Sequence, residues 1–121
     1  MKVAIPTDQP SIASKVCQSF GRAAYFLIYD TDSKAIRSLE NHAAPSQGGT
    51  GVKAAQIIVD SGADVLLTPR CGENADAVLL AASIKLYKTS DGTIEENIIA
   101  FLEGDLEVLE EIHAGFHHGG R

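Results

Sequence analysis

A chain of 121 residues, 45% hydrophobic and 21% charged, is long enough to form one self-sufficient core, because domains of this size bury roughly two-thirds of the surface that their unfolded chains expose. The formal net charge is −6, ten Lys and Arg against sixteen Asp and Glu, which argues against nucleic acid, whose affinity for proteins comes mainly from neutralised phosphates. No apolar run approaches the ~20 residues that span a bilayer, and two cysteines are too few for a disulfide framework.

Residues 2–7, Lys-Val-Ala-Ile-Pro-Thr, are a short apolar and β-branched run that Asp8 ends, the pattern of a strand. With no signal peptide ahead of it, the expectation is a cytoplasmic protein with reduced thiols. Residues 8–22 mix Pro, Ser and Gly without a period and read as a long loop, of a length at which loops are usually functional or disordered. Residues 25–29 form a largely buried second strand. Residues 30–34 then turn the chain into a third strand, 35–41, whose alternation leaves one face wet. A second loop, 43–51, carries Gly48, Gly49, Thr50 and Gly51. From Val52 the apolar spacing becomes helical, with Gly62 as the stop. Residues 64–68 are a continuous apolar strand, 73–82 a helix and 84–87 the last strand. Thr93 and Glu96 have the spacing of a capping box for a third helix, which Gly104 ends. A final short helix is expected from Asp105 to His113, giving a single domain over 1–113 and a flexible tail over 114–121.

The order of elements is β-β-β-α-β-α-β-α-α. Tight turns make the first three strands a meander with strand two antiparallel, and right-handed helical crossovers then add strands four and five parallel to strand one. The expected fold class is α/β, a five-stranded mixed sheet of order 3-2-1-4-5 flanked by helices. In that order the carboxyl ends of strands one, three and four share an edge, and ligands of open α/β sheets bind where the strand order reverses. The loops emptying there are 8–22, 42–51 and 69–72. They bring both cysteines and the richest glycine run together with the cations Arg22, Arg70 and, just beyond, Lys53.

Cys71 precedes a helix N-terminus beside Arg70, a setting that favours the thiolate a soft metal takes. The competing reading is a buried, inert cysteine. Cys17 lies in a polar loop and is a second soft candidate, although a separation of 54 residues has no zinc-type pattern. Gly48, Gly49, Thr50 and Gly51 opening a helix have the form of an anion cradle, in which backbone N–H groups and the helix dipole face negative charge; a plain flexible connection has the same composition. Arg22 is either an anion clamp or a solvated loop charge, and His42 either a further ligand or a solvated strand-end residue. His113, His117 and His118 in the tail read as adventitious metal binders.

Ser19-Phe20-Gly21-Arg22-Ala23-Ala24-Tyr25-Phe26, after a short Ile-Pro-Thr-Asp strand, resembles the His-Phe-Gly-Arg-Ala-x-x-Phe motif of the dinitrogenase iron–molybdenum cofactor biosynthesis family, which includes NifX, NafY and the C-terminal domain of NifB. Gly48-Gly49-Thr50-Gly51 with Ala54-Ala55-Gln56, and Gly72-x-Asn74-Ala75, resemble its second and third motifs, so the likeness runs from Met1 to about Leu109. The resemblance implies a ribonuclease H-like fold and the binding or delivery of iron–sulfur, iron–molybdenum or related molybdenum–sulfur clusters. Two departures stand out: Ser19 replaces the family's usual His, and Cys71 stands just before the third motif, on the facing loop. The function expected from motifs and loops together is non-catalytic carriage of an anionic metal–sulfur cofactor. Cys71, Cys17 and His42 would be its metal ligands, with Arg22, Gly48, Gly49, Thr50, Gly51, Lys53, Arg70 and Gly72 around its charge and a cluster-delivering or cluster-receiving protein as partner. The rivals are a partner-binding or regulatory domain without cargo, and a nuclease or phosphoryl-transfer enzyme resting on Asp8, which would need clustered carboxylates to hold its metal.

Overall fold

Val3, Ala4 and Ile5 are apolar at consecutive positions, so the strand that holds them must be covered on both faces. In the computed structural model, which describes residues 1–45 and 49–109, that strand, β1 (Lys2–Thr7), is the middle of a five-stranded sheet of order β3-β2-β1-β4-β5. β2 (Tyr25–Asp30) pairs with it antiparallel, Lys2 opposite Asp30 and Thr7 opposite Tyr25, and β3 (Ile36–Glu40) continues the meander antiparallel to β2. On the other side β4 (Val65–Thr68) lies parallel to β1, Val3 opposite Val65, and β5 (Lys85–Lys88) lies parallel to β4. This is the sheet expected from the pattern of turns and crossovers.

Helices α1 (Thr50–Asp60) and α2 (Glu73–Ala81) cover one face, where Ala4, Phe26, Ile28, Leu66 and Leu86 pack with Ala54, Ala55, Ile58, Ala75 and Leu79. Helix α3 (Ile94–Leu102) covers the other, with Ile94 and Ile98 on Val3, Ile5, Leu27, Val65 and Leu67. The expected capping box opens α3: the Thr93 hydroxyl accepts from the Glu96 amide at 3.1 Å, and the Glu96 carboxylate accepts from the Thr93 amide at 2.9 Å. α1 begins at Thr50, two residues before the Val52 expected from apolar spacing, because Gly49 takes the left-handed conformation (φ 66°) that turns the chain into the helix.

The helix expected from Asp105 does not form over residues 105–109. Val108 bridges Tyr87 antiparallel, the Lys88 amide donates to the Glu107 carbonyl at 2.8 Å, and the Leu109 amide donates to the Leu86 carbonyl at 2.9 Å. The outer edge of β5 carries backbone donors and acceptors that need partners, and the segment leaving α3 supplies them. Residues 110–113, the boundary after 113, the tail 114–121 and Gly48 lie outside the described residues.

The long first loop is tied down. The Cys17 amide donates to the Pro6 carbonyl at 2.9 Å, Val16 bridges Thr7, and Lys15 bridges Thr93. Val16 sits in the α3-side core and Phe20 in the α1-side core, so the loop crosses the end of the sheet from one face to the other. It finishes in a single 3-10 turn, Phe20–Arg22. Among the described residues no helix is long and apolar enough to cross a membrane.

Candidate cofactor-binding site

The 3-10 turn and the first turns of α1 and α2 meet at the carboxyl edge of the sheet around an open cavity of about 640 Å³, lined by residues 18–22, 49–52 and 70–75. They meet closely because their contact points carry almost no side chain. A Cβ on Gly21 would lie 3.3 Å from the Gly51 amide nitrogen and from Cγ2 of Thr50, and one on Gly51 would lie 3.5 Å from Cβ of Ala75.

The cavity walls are rich in backbone donors. α1 has Gly49 at its N-cap and α2 has Gly72, so the N-cap residue offers neither helix a side-chain cap. The first turn of α3, by contrast, is satisfied by its own box together with the Ser14 and Ile12 carbonyls, which accept from the Ile94 and Glu95 amides. Open helix N-termini are sites of positive potential. Three lining residues are charged, Arg22, Arg70 and Glu73, so the wall is net positive in a chain of net charge −6. Arg22 is also a tether: its Nη1 donates to the Ala44 carbonyl at 3.0 Å. The Arg70 backbone is held from below, its carbonyl accepting from the buried Thr68 hydroxyl at 3.0 Å.

Cys71 lines the cavity but is only 2% exposed. Burial, with the charge of Asp76 adding to it, pushes its thiol from the ordinary 9.0 up to about 12. The expected thiolate is therefore corrected to a neutral thiol: desolvation overrides the helix terminus and Arg70. Cys17 is half-buried against the α1-side core, outside the cavity lining, and its thiol is likewise raised by burial; its Sγ donates to the Ser19 carbonyl at 3.4 Å. Both cysteines are free. His42 is exposed in a separate groove between β3 and the C-terminal half of α1, with Glu40, Ile57 and Asp60. Lys53 is exposed on α1, outside the lining. The structure thus gathers Arg22, Gly49, Thr50, Gly51, Arg70, Cys71 and Gly72 at one cavity and leaves Cys17, His42 and Lys53 off its wall. Among the described residues no three His, Cys, Asp or Glu side chains form a group that would hold a metal ion, and Asp8 stands exposed beyond β1.

One residue that organises the cavity was not legible as such. Asn41, 3% exposed, donates from Nδ2 to the carbonyls of Gly21 (3.1 Å) and Ala23 (2.8 Å) and accepts at Oδ1 from the Ala43 amide (3.0 Å). It fastens the Phe20–Arg22 turn to the end of β3. In the sequence it is only an Asn closing a strand.

Residues 1–104 match the model of the family described as dinitrogenase iron-molybdenum cofactor. The chain belongs to this family. The described parts of the three segments that resemble motifs of this family meet at the cavity. The family member is similar to the apo form of the orange protein from Desulfovibrio gigas, at 31% identity and a TM-score of 0.88 over 93% of this chain and 95% of that one. It is similar also to the Thermotoga protein TM1290 of the DUF35 family, known from an NMR structure, at 39% identity and a TM-score of 0.81 over 98% of each chain. The Methanocaldococcus jannaschii protein MJ0580 is 31% identical over 113 residues, 91% of this chain and 92% of its own.

Proposed function

We propose that the protein is a non-catalytic carrier of an anionic metal–sulfur cofactor, of the iron–sulfur or molybdenum-containing cluster type, which it takes from or passes to a partner protein. The observation that carries this reading is the convergence of two helix N-termini, each with glycine at the N-cap, with Arg22 and Arg70 on one open cavity. Such a wall suits a bulky anion held by N–H donors and cations rather than by a full set of side-chain ligands. Membership of the dinitrogenase iron–molybdenum cofactor family supports the kind of cargo. The sheet order with β2 antiparallel supports the ribonuclease H-like descent that the motifs imply.

The test is anaerobic incubation with tetrathiomolybdate and, separately, with iron and sulfide, followed by desalting and absorbance between 300 and 600 nm. Retained chromophore is expected. Arg22→Ala and Arg70→Ala should each weaken retention by roughly 5- to 100-fold, the range for losing one charge-assisted contact. No chromophore from either source would favour a partner-binding domain without cargo. Metal-dependent cleavage of RNA abolished by Asp8→Asn would establish the enzyme instead.

A further inference from the structure

Beside the main cavity lies a second one, of about 490 Å³, at the carboxyl ends of β4 and β5. Its polar lining comes from Gln18 and Arg70, on two loops, and from the end of β5 and the loop after it, Lys88, Thr89, Ser90 and Asp91. None of Lys88, Thr89, Ser90 and Asp91 belongs to the family motifs quoted above. Arg70 and Lys88 are exposed, and neither forms an ion pair with a described residue. Asp91, exposed, is the only acid in the lining.

The loop after β5 is held rigidly from within. Asn97 is fully buried in α3 and spends its whole side chain on that loop. Its Oδ1 accepts from the Ser90 amide at 2.8 Å and the Ser90 hydroxyl at 3.4 Å, while its Nδ2 donates to the carbonyls of Ser90 (3.1 Å) and Thr93 (3.0 Å). On the opposite wall Thr68 pins the Arg70 carbonyl in the same manner. A buried polar side chain committed to a loop means that the loop keeps its shape without a ligand, and binding then costs little ordering. One cation on a pinned loop and one at the end of β5, where the other pinned loop begins, with a neutral amide and hydroxyls between them, suit a small oxyanion: a guanidinium offers paired N–H donors and an ammonium a point charge.

We propose that this groove is a second binding site, for a small oxyanion bearing phosphate or carboxylate. This part of the inference stands whether or not the larger cavity holds a cluster. Arg70 lines both cavities, so an anion in the groove competes for its guanidinium and repels an anion next door. On the carrier reading the groove is therefore a release control, in which oxyanion binding loosens the cargo.

The experiment is a titration of the ¹⁵N-labelled protein with inorganic phosphate and with succinate, read by amide shifts, in the native chain and in Lys88→Gln. Saturable shifts at Ser90 and Asp91 are expected with at least one of the anions, with binding at least 5-fold weaker in Lys88→Gln and its melting temperature unchanged. Shifts confined to Gly51 and Gly72, no shifts at all, or equal binding by Lys88→Gln would overturn the site. In a second arm, the oxyanion that binds should lower tetrathiomolybdate retention by the native chain and much less by Lys88→Gln. Equal lowering in both would overturn the coupling. Failure of either chain to retain tetrathiomolybdate would count against the carrier reading and leave the titration to decide the groove.

Discussion

Cys71 makes the sharpest quantitative test, because its thiol is held at about 12 in the folded protein against an ordinary 9.0. Below pH 9 both the folded and the unfolded chain keep its proton, and the residue contributes nothing to the pH dependence of stability. Between pH 9 and 12 the unfolded chain gives up the proton while the folded chain retains it. The unfolded state is therefore favoured by about 1.4 kcal/mol for each pH unit. From pH 9 to 11 the loss is on the order of 2 kcal/mol. Cys71→Ala removes this dependence at the cost of a small buried void, about 1 kcal/mol at every pH. Urea unfolding of the two proteins at pH 8, 9, 10 and 11 should show the variant less stable at pH 8, the gap closing near pH 10 and reversing by pH 11. Cys17 and every other titrating group are common to both proteins and cancel in the difference. A gap that stays constant with pH would refute the reasoning, since Cys71 would then ionise equally in both states. The same figure bears on metal binding: stripping the proton at pH 7 costs about 7 kcal/mol, which a metal–sulfur bond would have to supply before any net affinity appeared.

Three further outcomes are expected. Gly21→Ala sets a methyl 3.3 Å from the Gly51 amide nitrogen and should cost about 1–2 kcal/mol while weakening tetrathiomolybdate retention; Gly72→Ala, with nothing within 4 Å, should leave the melting temperature nearly unchanged, and equal losses in the two would contradict the close-approach argument. Asn41→Ala strips partners from the Gly21 and Ala23 carbonyls and the Ala43 amide, an expected loss of about 2–4 kcal/mol with hydrogen exchange quickening at residues 20–24; unchanged exchange there would remove Asn41 from its positioning role. Ser83 ends α2 at φ 63°, a conformation in which a Cβ is strained, so Ser83→Gly should raise stability by about 0.5–1 kcal/mol, and a lower melting temperature would show that the serine is held there by something stronger than strain.

Strand order was readable because the turn at residues 30–34 forces the meander, and the right-handed crossovers, punctuated by Gly62 and Pro69, set β4 and β5 beside β1. The capping box at Thr93 and Glu96 was readable because both partners lie within one turn. Segment 105–109 was misread because its own apolar spacing permits a helix, and the deciding partner is the β5 edge, some twenty residues earlier in the chain. The convergence of the three motif loops followed from topology, but the state of Cys71 did not. Helix terminus and neighbouring cation are visible in sequence, whereas the burial that outweighs them comes from packing. His42 and Lys53 stand close in sequence to the cavity loops and lie off the cavity wall, which nearness in sequence does not reveal. Asn41 shows the reverse case, a binding-site organiser whose partners lie too far along the chain to be guessed.

The central position of β1 has a kinetic consequence. Its pairing with β2 belongs to a hairpin close in sequence, and β3 extends the same local meander. Its pairing with β4, Val3 opposite Val65, must close a loop of some sixty residues, and contacts so distant in sequence form slowly. The cavity needs the late partner, because the turn that ends the first loop must meet both α1 and α2, and α2 follows β4. Its walls are therefore expected to assemble after the meander and to come apart before it. Cargo held there cannot hasten folding, having nothing to grip until the rate-limiting contacts exist, but it holds together the part of the molecule that opens first. Loading should lengthen the lifetime of the folded state, while the refolding rate stays that of the bare chain.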